Sequence, residues 1–225
     1  MGTIFITATG TDIGKTYVAT QLIRHARAGG GAVDALKPVV TGFDPARPEA
    51  SDPAHLLAAL GRPTTPDEIA RVSPWRFAAP LSPDLAAARE GRTLDFDALI
   101  EFSRKVVSAL SGTLFIEGIG GIMVPLDARH TVLDWMSALN VPLVLVTGSY
   151  LGSISHTLTC LEVLRARGLT IRVIVVNETR ASYVSLADTI SSVSRFAGTV
   201  PIMALPRSES PTTLAKMDNI ISILQ

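Results

Sequence analysis

A lysine and a threonine near the start of the chain have the spacing of a phosphate-binding loop. They end the segment Thr7-Ala8-Thr9-Gly10-Thr11-Asp12-Ile13-Gly14-Lys15-Thr16, which follows a β-branched apolar run and precedes apolar residues at helical spacing. Backbone N–H groups of such a loop, together with the positive end of the helix dipole, favour a polyphosphate. Gly14 permits close backbone approach, Lys15 can reach the outer phosphates, and the Thr16 hydroxyl can ligate Mg²⁺.

The loop is a variant of the usual pattern. The strict pattern has glycine where Thr9 stands, and Gly10 lies one position late. The alternative interpretation is an ordinary helix start with turn glycines. The strand before the loop and the helix after it favour nucleotide binding.

A carboxylate ends another apolar run. Glu117 closes the strand predicted at 113–117 and precedes the glycine-rich segment Gly118-Ile119-Gly120-Gly121. Nucleotide hydrolases hold Mg²⁺ opposite the phosphate loop with this arrangement. Because an acid at the end of a buried strand is costly unless it is paired or metal-bound, we expect a functional role for Glu117.

Three further polar residues follow the strand predicted at 33–36. Lys37 lies at its carboxyl end, where parallel sheets hold ligands, so we expect it to point at the same crevice as the phosphate loop. A solvated lysine at a strand end is the alternative. Thr41 continues along the rim of this crevice. Ser51 or Asp52 caps the helix predicted at 54–60, and capping is the simple explanation of Asp52.

Two other strand ends carry polar groups. Small and hydroxyl residues between Gly148 and His156 open a helix that continues to about residue 167, and they either form an anion pocket or simply cap the helix. A hydrogen-bonded structural role is expected for His156. The strand predicted at 170–176 ends in Asn177-Glu178, where an amide can offer a donor and an acceptor to an adenine edge.

Strands and helices alternate throughout the chain. Strands are predicted at 3–6, 33–36, 113–117, 143–147, 170–176 and 200–205, and helices at 15–28, 54–60, 94–110, 132–139, 182–196 and 214–224, besides the one that segment 148–156 opens and that continues to about 167. Prolines divide 61–83 into short segments. This pattern predicts a doubly wound, mostly parallel α/β sheet with helices on both faces, a three-layer sandwich of the P-loop nucleotide hydrolase type. We expect one domain over residues 1–225.

Composition excludes several classes of protein. Twenty basic and twenty acidic residues give a formal net charge of zero, so we expect no nucleic-acid partner. The single cysteine, Cys160, excludes an internal disulfide and a multi-cysteine metal site, is expected to be buried, and fits a reducing cytosol. No signal peptide is expected, and no run approaches the ~20 apolar residues that span a bilayer. The sequence therefore predicts a soluble cytoplasmic protein.

Taken together, these residues resemble the dethiobiotin synthetase family. The most specific segments are Thr7 to Thr16, Leu36-Lys37-Pro38-Val39-Val40-Thr41-Gly42 and Leu151-Gly152-Ser153-Ile154-Ser155-His156, and the resemblance runs from residue 3 to about residue 208. It implies an ATP- and Mg²⁺-dependent ligase of biotin biosynthesis that works as a homodimer. Such an enzyme converts 7,8-diaminopelargonate, CO₂ and ATP into dethiobiotin, ADP and phosphate.

The resemblance also implies a role for each matching residue. Lys37 and Lys15 would be catalytic, and Thr41 would contact the diamine or its carbamate. Mg²⁺ would be ligated by Thr16, Asp52 and Glu117. The nucleotide would be bound by Asp12, Ile13, Gly14, Lys15, Thr16, Tyr17, Asp52, Glu117, Gly118, Ile119, Gly120, Asn177, Glu178, Pro206, Arg207 and Ser208. The substrate carboxylate would be bound, across the subunit boundary, by Leu151, Gly152, Ser153, Ile154 and Ser155.

Two other functions use the same kind of sheet. Nucleotide-dependent switches that partition chromosomes or position division sites carry an extra lysine near the start of the loop, where Thr9 and Gly10 stand here. Many also end in a basic amphipathic membrane helix, whereas residues 219–225 have no basic face. Amide-forming synthetases for corrinoid side chains need a glutaminase domain, for which 225 residues leave no room.

Overall fold

A parallel sheet forms the centre of the molecule. The computed structural model describes residues 2–180, 182–207, 219–220 and 222–224. Among these, six strands pair in parallel: β1 (Thr3–Ala8), β2 (Val33–Leu36), β5 (Thr113–Glu117), β6 (Leu143–Gly148), β7 (Ile171–Asn177) and β8 (Ile202–Leu205). Their order across the sheet is β2-β5-β1-β6-β7-β8, so β5 lies between β2 and β1 on one side, while β6, β7 and β8 follow in succession on the other.

Helices cover both faces of this sheet. They are α1 (Lys15–Ala28), α2 (Asp52–Leu60), α3 (Pro66–Val72), α4 (Pro83–Arg89), α5 (Phe96–Ala109), α6 (Val132–Leu139), α7 (Ser153–Ala166) and α8 (Leu186–Ala197). Side chains alternate along each strand, so Ile4 and Ile6 pack with α1 and α2, while Phe5 packs with residues of α5 to α7. The two cores confirm the predicted doubly wound, three-layer architecture.

The aromatic contact at the centre shows how tightly one face is filled. The rings of Phe5 and Trp135 meet edge to face, with 4.8 Å between their centroids, and both side chains are fully buried. The Trp135 indole N–H donates to the Ser103 hydroxyl at 3.2 Å. The polar part of this large side chain is therefore satisfied inside the core.

Four short elements between residues 39 and 89 are absent from the sequence prediction. Strands β3 (Val39–Thr41) and β4 (Trp75–Phe77) form a separate parallel pair, and α3 and α4 lie beside them. Three-residue strands are too short to show a period, and the prolines that begin α3 and α4 mark helix starts as readily as loops.

The other boundaries differ by a few residues. Helix α8 begins at Leu186 rather than 182, because the Ser185 hydroxyl caps it by accepting from the Asp188 N–H, and β8 begins at Ile202 rather than 200. Most of the helix predicted at 214–224 lies outside the described residues, and residues 219–220 and 222–224 are helical. No described helix combines the length and apolar character needed to cross a membrane.

Candidate active site

An open cavity of about 700 Å³ lies at the carboxyl ends of β1, β2 and β5. Ligands of doubly wound sheets bind at this edge. The cavity brings together many of the predicted site residues: Asp12, Gly14, Lys15, Thr16, Lys37, Thr41, Asp52, Glu117, Ile119 and Gly120. Residues that are about 100 positions apart in the sequence thus share one wall.

The phosphate loop joins β1 to α1. Gly14 precedes α1 with φ = +94°, a left-handed conformation that glycine adopts without strain. The Lys15 ammonium group donates to the Gly10 carbonyl oxygen at 3.1 Å, which folds the side chain back over its own loop. Burial and the nearby positive charge of Lys37 lower the pKa of Lys15 to about 8. A bound polyanion would favour the charged form of this lysine.

A buried ion cluster occupies the floor of the cavity. The Lys37 ammonium lies 2.9 Å from Glu117 Oε1, 2.9 Å from the Gly118 carbonyl oxygen and 3.5 Å from Asp52 Oδ2. Burial alone would lower the pKa of Lys37, but the charges of Glu117 and Asp52 outweigh it and raise the pKa. Lys37 is only 2% exposed, so the alternative of a solvated lysine is wrong.

The backbone around Lys37 is held as firmly as its side chain. Its N–H donates to the Val72 carbonyl at the end of α3 at 3.0 Å, and its carbonyl accepts from the buried Ser73 hydroxyl. The next carbonyl, of Pro38, accepts from the Trp75 N–H at 3.0 Å. The small β3–β4 sheet therefore fixes the direction in which Lys37 leaves the main sheet.

The chemistry of the same cluster suits Mg²⁺. The Thr16 hydroxyl donates to Glu117 Oε1 at 2.7 Å, whereas Glu117 Oε2 is buried and has no hydrogen-bond partner among the described residues. Ser51, not Asp52, caps α2 by accepting from the Ala54 N–H, which leaves the Asp52 carboxylate facing the cavity. An orphaned buried oxygen is unfavourable unless something binds it.

The number of protein ligands also fits this ion. In the described part of the chain, no three His, Cys, Asp or Glu side chains lie close enough together to hold a metal by themselves. Two carboxylates and a hydroxyl are instead the limited protein contribution typical of Mg²⁺, which keeps waters and takes oxygens from substrate phosphates.

The residues predicted around adenine lie together but outside the cavity wall. The Asn177 amide donates to the Ile13 carbonyl oxygen at 2.9 Å, so one of its N–H groups supports the phosphate loop. Glu178 Oε2 accepts from the Arg207 N–H at 2.9 Å, which joins the ends of β7 and β8 beside Pro206. Ser208 lies outside the described residues.

Three other residues predicted to bind nucleotide are also absent from the cavity wall. Ile13 and Tyr17 are partly buried and pack against the core beneath α1. Gly118 contributes its carbonyl oxygen to Lys37 rather than a surface to the cavity. The structure thus brings together the residues predicted to bind phosphate and metal, whereas the residues predicted to bind the base do not line that cavity.

The loop before α7 holds the residues predicted to bind the substrate carboxylate. Gly152 has φ = +97° at the start of the helix, and the Ser153 hydroxyl is fully buried with no hydrogen-bond partner in the described part of the chain. Leu151 is 75% exposed, Ser155 is exposed, and Ile154 packs partly against the core. None of these residues lines the cavity that contains Lys37. His156 accepts or donates a hydrogen bond at 2.8 Å with the Tyr150 hydroxyl, as its expected structural role requires.

Several wall residues are missing from the sequence prediction. They are Thr11, Val40, Val124 and the segment Pro80-Leu81-Ser82-Pro83 between β4 and α4. This segment reaches the cavity because the Gly42 N–H donates to the Ala79 carbonyl at 3.1 Å, which closes the excursion after β4 onto the end of β3. The two prolines were the only sequence signal, and they indicate a turn without saying what it faces.

The fold and the loop define a class of protein. A Gly-Lys-Thr loop between a central parallel strand and a helix is the arrangement of P-loop nucleotide-binding proteins. Residues 2–212 match the family model described as an AAA domain. The cell division ATPase MinD of Pyrococcus furiosus superposes with a TM-score of 0.59 at 16% identity, covering 100% of both chains. The hydrogenase maturation factor HypB of Archaeoglobus fulgidus gives 0.58 at 14%, covering 100% of this chain and 91% of that chain. At such identities these structures show the fold alone.

Curated relatives narrow the class to a family. The ATP-dependent dethiobiotin synthetase of Caulobacter vibrioides is 49% identical over 209 residues, covering 92% of this chain and 94% of the relative. The enzyme of Acidiphilium cryptum is 48% identical over 202 residues, covering 89% of this chain and 91% of the relative. The enzyme of Caulobacter sp. strain K31 is 43% identical over 223 residues, covering 99% of this chain and 95% of the relative. The chain belongs to the ATP-dependent dethiobiotin synthetase family.

Proposed function

We propose that the chain, acting as one domain over residues 1–225, forms dethiobiotin from 7,8-diaminopelargonate, CO₂ and ATP. The observation that carries this proposal is the convergence of Lys15 and Lys37 on one cavity that also holds Thr16, Asp52 and Glu117. Negative charge accumulates when a carboxylated amine meets a triphosphate. Two ammonium groups in a partly desolvated site offset that charge.

The reaction has three bond-forming steps. One substrate amine adds to CO₂ and loses a proton, which gives a carbamate. A carbamate oxygen then attacks the γ-phosphorus, the bond from phosphorus to the bridging oxygen breaks, and ADP leaves. The second amine attacks the carbamoyl carbon, loses its proton, and expels phosphate together with the attacking oxygen. The urea ring closes, and atoms and charges balance.

The lysines divide this work by their surroundings. Lys37 is charged and held by Glu117 and the Gly118 carbonyl, so its position is set before substrate binds. We assign it to the carbamate and to the phosphoryl group in transfer, where preorganised charge contributes most. Lys15 would turn from the Gly10 carbonyl to the β- and γ-phosphates. Thr41, on the cavity wall, would contact the diamine or its carbamate.

The metal ligands are the oxygens around the floor of the cavity. Thr16, Asp52 and Glu117 are the residues that would hold Mg²⁺, which when bound neutralises phosphate oxygens as charge moves onto them. The unpartnered Glu117 Oε2 supports this assignment. Glu117 would then serve the metal through one oxygen and orient Lys37 through the other.

The remaining predicted residues would serve the two ends of the ligands. Asn177, Glu178, Pro206, Arg207 and Ser208 would surround the adenine. The N–H groups of Leu151 to Ser155 would bind the substrate carboxylate. Because residues 151–155 do not line the cavity of Lys37, we assign the carboxylate-binding N–H groups to a site completed across the boundary of a homodimer.

One assay tests this function. The protein is incubated with 7,8-diaminopelargonate, bicarbonate and MgATP, and we expect one dethiobiotin and one phosphate for each ATP consumed. Lys37→Met should lower this rate by about a thousandfold or more, as expected for loss of a preorganised electrostatic group. Lys105→Met is the control, because Lys105 is exposed on α5. ATP hydrolysis without dethiobiotin, or equal rates for the two variants, would contradict the proposal.

A further inference from the structure

Three hydroxyl groups and one carbonyl group form a continuous hydrogen-bonded chain behind the site. The Thr9 hydroxyl oxygen lies 3.3 Å from that of Thr147, and the Thr147 and Thr157 hydroxyl oxygens are 2.7 Å apart. Thr157 Oγ1 in turn lies 2.6 Å from the Ser153 carbonyl oxygen. Thr147 and Thr157 are completely buried. The chain thus runs from the phosphate loop, through the end of β6, to the first turn of α7.

The direction of every hydrogen bond in this chain is determined. A hydroxyl has one proton to donate, and Thr157 spends its proton on the Ser153 carbonyl, which can only accept. Thr157 must therefore accept from Thr147, and Thr147 must accept from Thr9. No water is needed to satisfy these buried oxygens, so the loss of either buried hydroxyl leaves its neighbours without a partner.

The sequence places these threonines on one side of the sheet. Residues of β6 alternate, so that Val144 and Val146 face the core beneath α1, while Leu145 faces the core beneath α7. Thr147 follows the same alternation and points toward α7, where it meets Thr157 one turn into the helix. A valine at residue 147 would fill the same space and would suit the apolar core, which makes the hydroxyl the distinguishing group.

We propose that Thr147 and Thr157 are positioning residues that fix the first turn of α7 relative to the phosphate loop. The inference rests on the proposed function, in which the loop holds the phosphates and that turn binds the substrate carboxylate. In the proposed homodimer that turn serves the cavity across the subunit boundary. By holding the turn in place within its own subunit, the hydroxyl chain sets where the carboxylate lies relative to that cavity. A misplacement of about 1 Å between reacting groups can cost on the order of a hundredfold in rate.

The fold supplies a matched control for this chain of hydroxyl groups. Thr189 in α8 is also completely buried, and its hydroxyl donates to the Ser185 carbonyl at 3.0 Å, four residues earlier. This is the same local contact that Thr157 makes with Ser153. Thr189 lies on a different helix, and among the described hydrogen bonds its hydroxyl joins no residue of β6. Thr157→Val and Thr189→Val therefore remove equivalent local bonds, and only the first interrupts the chain.

The experiment compares steady-state turnover of five proteins: wild type, Thr147→Val, Thr157→Val, Thr157→Ser and Thr189→Val. We expect Thr147→Val and Thr157→Val to lower kcat for dethiobiotin by about tenfold to a hundredfold. Their KM for ATP should stay within about twofold, since the chain ends before the phosphate-binding groups. Thr157→Ser, which keeps the hydroxyl, and Thr189→Val should stay within about threefold of wild type.

Two further readouts separate positioning from stability. Thermal unfolding should show a loss in Tm for both Thr157→Val and Thr189→Val, larger for Thr157→Val because this change also leaves the Thr147 hydroxyl without its acceptor. The ratio of ATP hydrolysed to dethiobiotin formed should rise above one only when the hydroxyl chain is broken, because water then hydrolyses the carbamic-phosphoric anhydride before the misplaced second amine attacks it. Thr147→Val places a β-branched residue of the same shape in a strand. If Thr157→Val does not fold, the kcat and the coupling ratio of Thr147→Val test the inference.

Each outcome decides the inference. If wild type makes dethiobiotin and both Thr147→Val and Thr157→Val match Thr189→Val in kcat and in coupling ratio, the threonines are structural only and the inference is overturned. If wild type makes no dethiobiotin, the proposed function fails and the inference fails with it. A loss confined to the KM for ATP would likewise overturn the assignment to α7.

Discussion

Replacing Glu117 by glutamine removes the charge against which Lys37 is buried. The Lys37 ammonium would keep the Gly118 carbonyl at 2.9 Å and Asp52 at 3.5 Å. The Asp52 side chain is 42% exposed, however, so solvent screens its attraction, whereas the Glu117 side chain is 1% exposed. The variant therefore leaves a nearly uncompensated positive charge in the floor of the cavity.

Two independent estimates give the size of this effect. Breaking a buried ion pair by removing one partner costs about 3–5 kcal/mol. Lys37 could instead fold without its proton, and taking that proton from a reference pKa of about 10.4 at pH 7 costs about 1.36 kcal/mol per unit, or about 4.6 kcal/mol. Because the second value is an upper limit set by deprotonation, we expect Glu117→Gln to lower the free energy of unfolding by about 3–4.6 kcal/mol at pH 7.

The cost should depend on pH in a definite direction. In the wild type the two carboxylates raise the pKa of Lys37 despite its burial, so its charge contributes stability below the unfolded pKa of about 10.4 and is lost only as pH rises through the folded pKa. In Glu117→Gln burial prevails, and the folded pKa falls below the unfolded value. The difference between the two proteins should therefore be greatest near neutral pH and should diminish toward about pH 10.

Urea unfolding in EDTA without nucleotide measures this difference, at about pH 7 and about pH 9.5. Asp52→Asn is the control, since a half-exposed partner is worth about 1 kcal/mol or less. If Glu117→Gln cost less than about 1 kcal/mol at pH 7, or the same at both pH values, Lys37 would not depend on Glu117 for its charge and the electrostatic description of the cluster would be wrong.

Three further predictions concern the loops. Gly14→Ala would place a Cβ 2.3 Å from the side-chain amide nitrogen of Asn177, so ATP affinity should fall by at least about tenfold in calorimetry. Gly30 shares the positive φ, but a Cβ there would meet nothing within 4 Å, so Gly30→Ala should leave ATP affinity unchanged. Because the pKa of Lys15 is about 8, ATP affinity should decline above pH 8 with proton uptake on binding, and a flat affinity up to about pH 9.5 would contradict its charge state. Gly152→Ala should raise the KM of the diamine and not that of ATP. Gly168→Ala, also at positive φ with open space, is its control. A rise confined to the KM of ATP would mean that the substrate carboxylate does not bind at Gly152.

The sequence predicted the parts of the site that lie at strand ends. Lys15 and Lys37 follow buried strands of the parallel sheet and Glu117 ends one, and the topology of such sheets brings these positions to one edge. Their convergence was therefore predictable without any distance. The sequence could not show that Lys37 is buried against Glu117, because that depends on how α3 and Ser73 hold its backbone.

Other features depended on contacts that no local pattern carries. Asn177 was predicted from its strand end to face adenine, yet its amide also braces the phosphate loop through Ile13, 164 residues away in the chain. The Pro80–Pro83 wall of the cavity is set by the short β3–β4 pair, whose strands of three residues are too short to be recognised. Thr147 and Thr157 are ordinary strand and helix residues in the sequence, and only the register of α7 against β6 joins their hydroxyls.

The measurement that tests the central claim most directly follows oxygen from CO₂ into phosphate. A carbamate oxygen that attacks the γ-phosphorus stays with phosphorus when the second amine closes the ring. With freshly dissolved C¹⁸O₂, 7,8-diaminopelargonate and MgATP, mass spectrometry over a time short relative to exchange with water should find one ¹⁸O in each phosphate formed. Phosphate without ¹⁸O, released together with dethiobiotin, would mean that no carbamate takes the phosphoryl group in the cavity of Lys15 and Lys37.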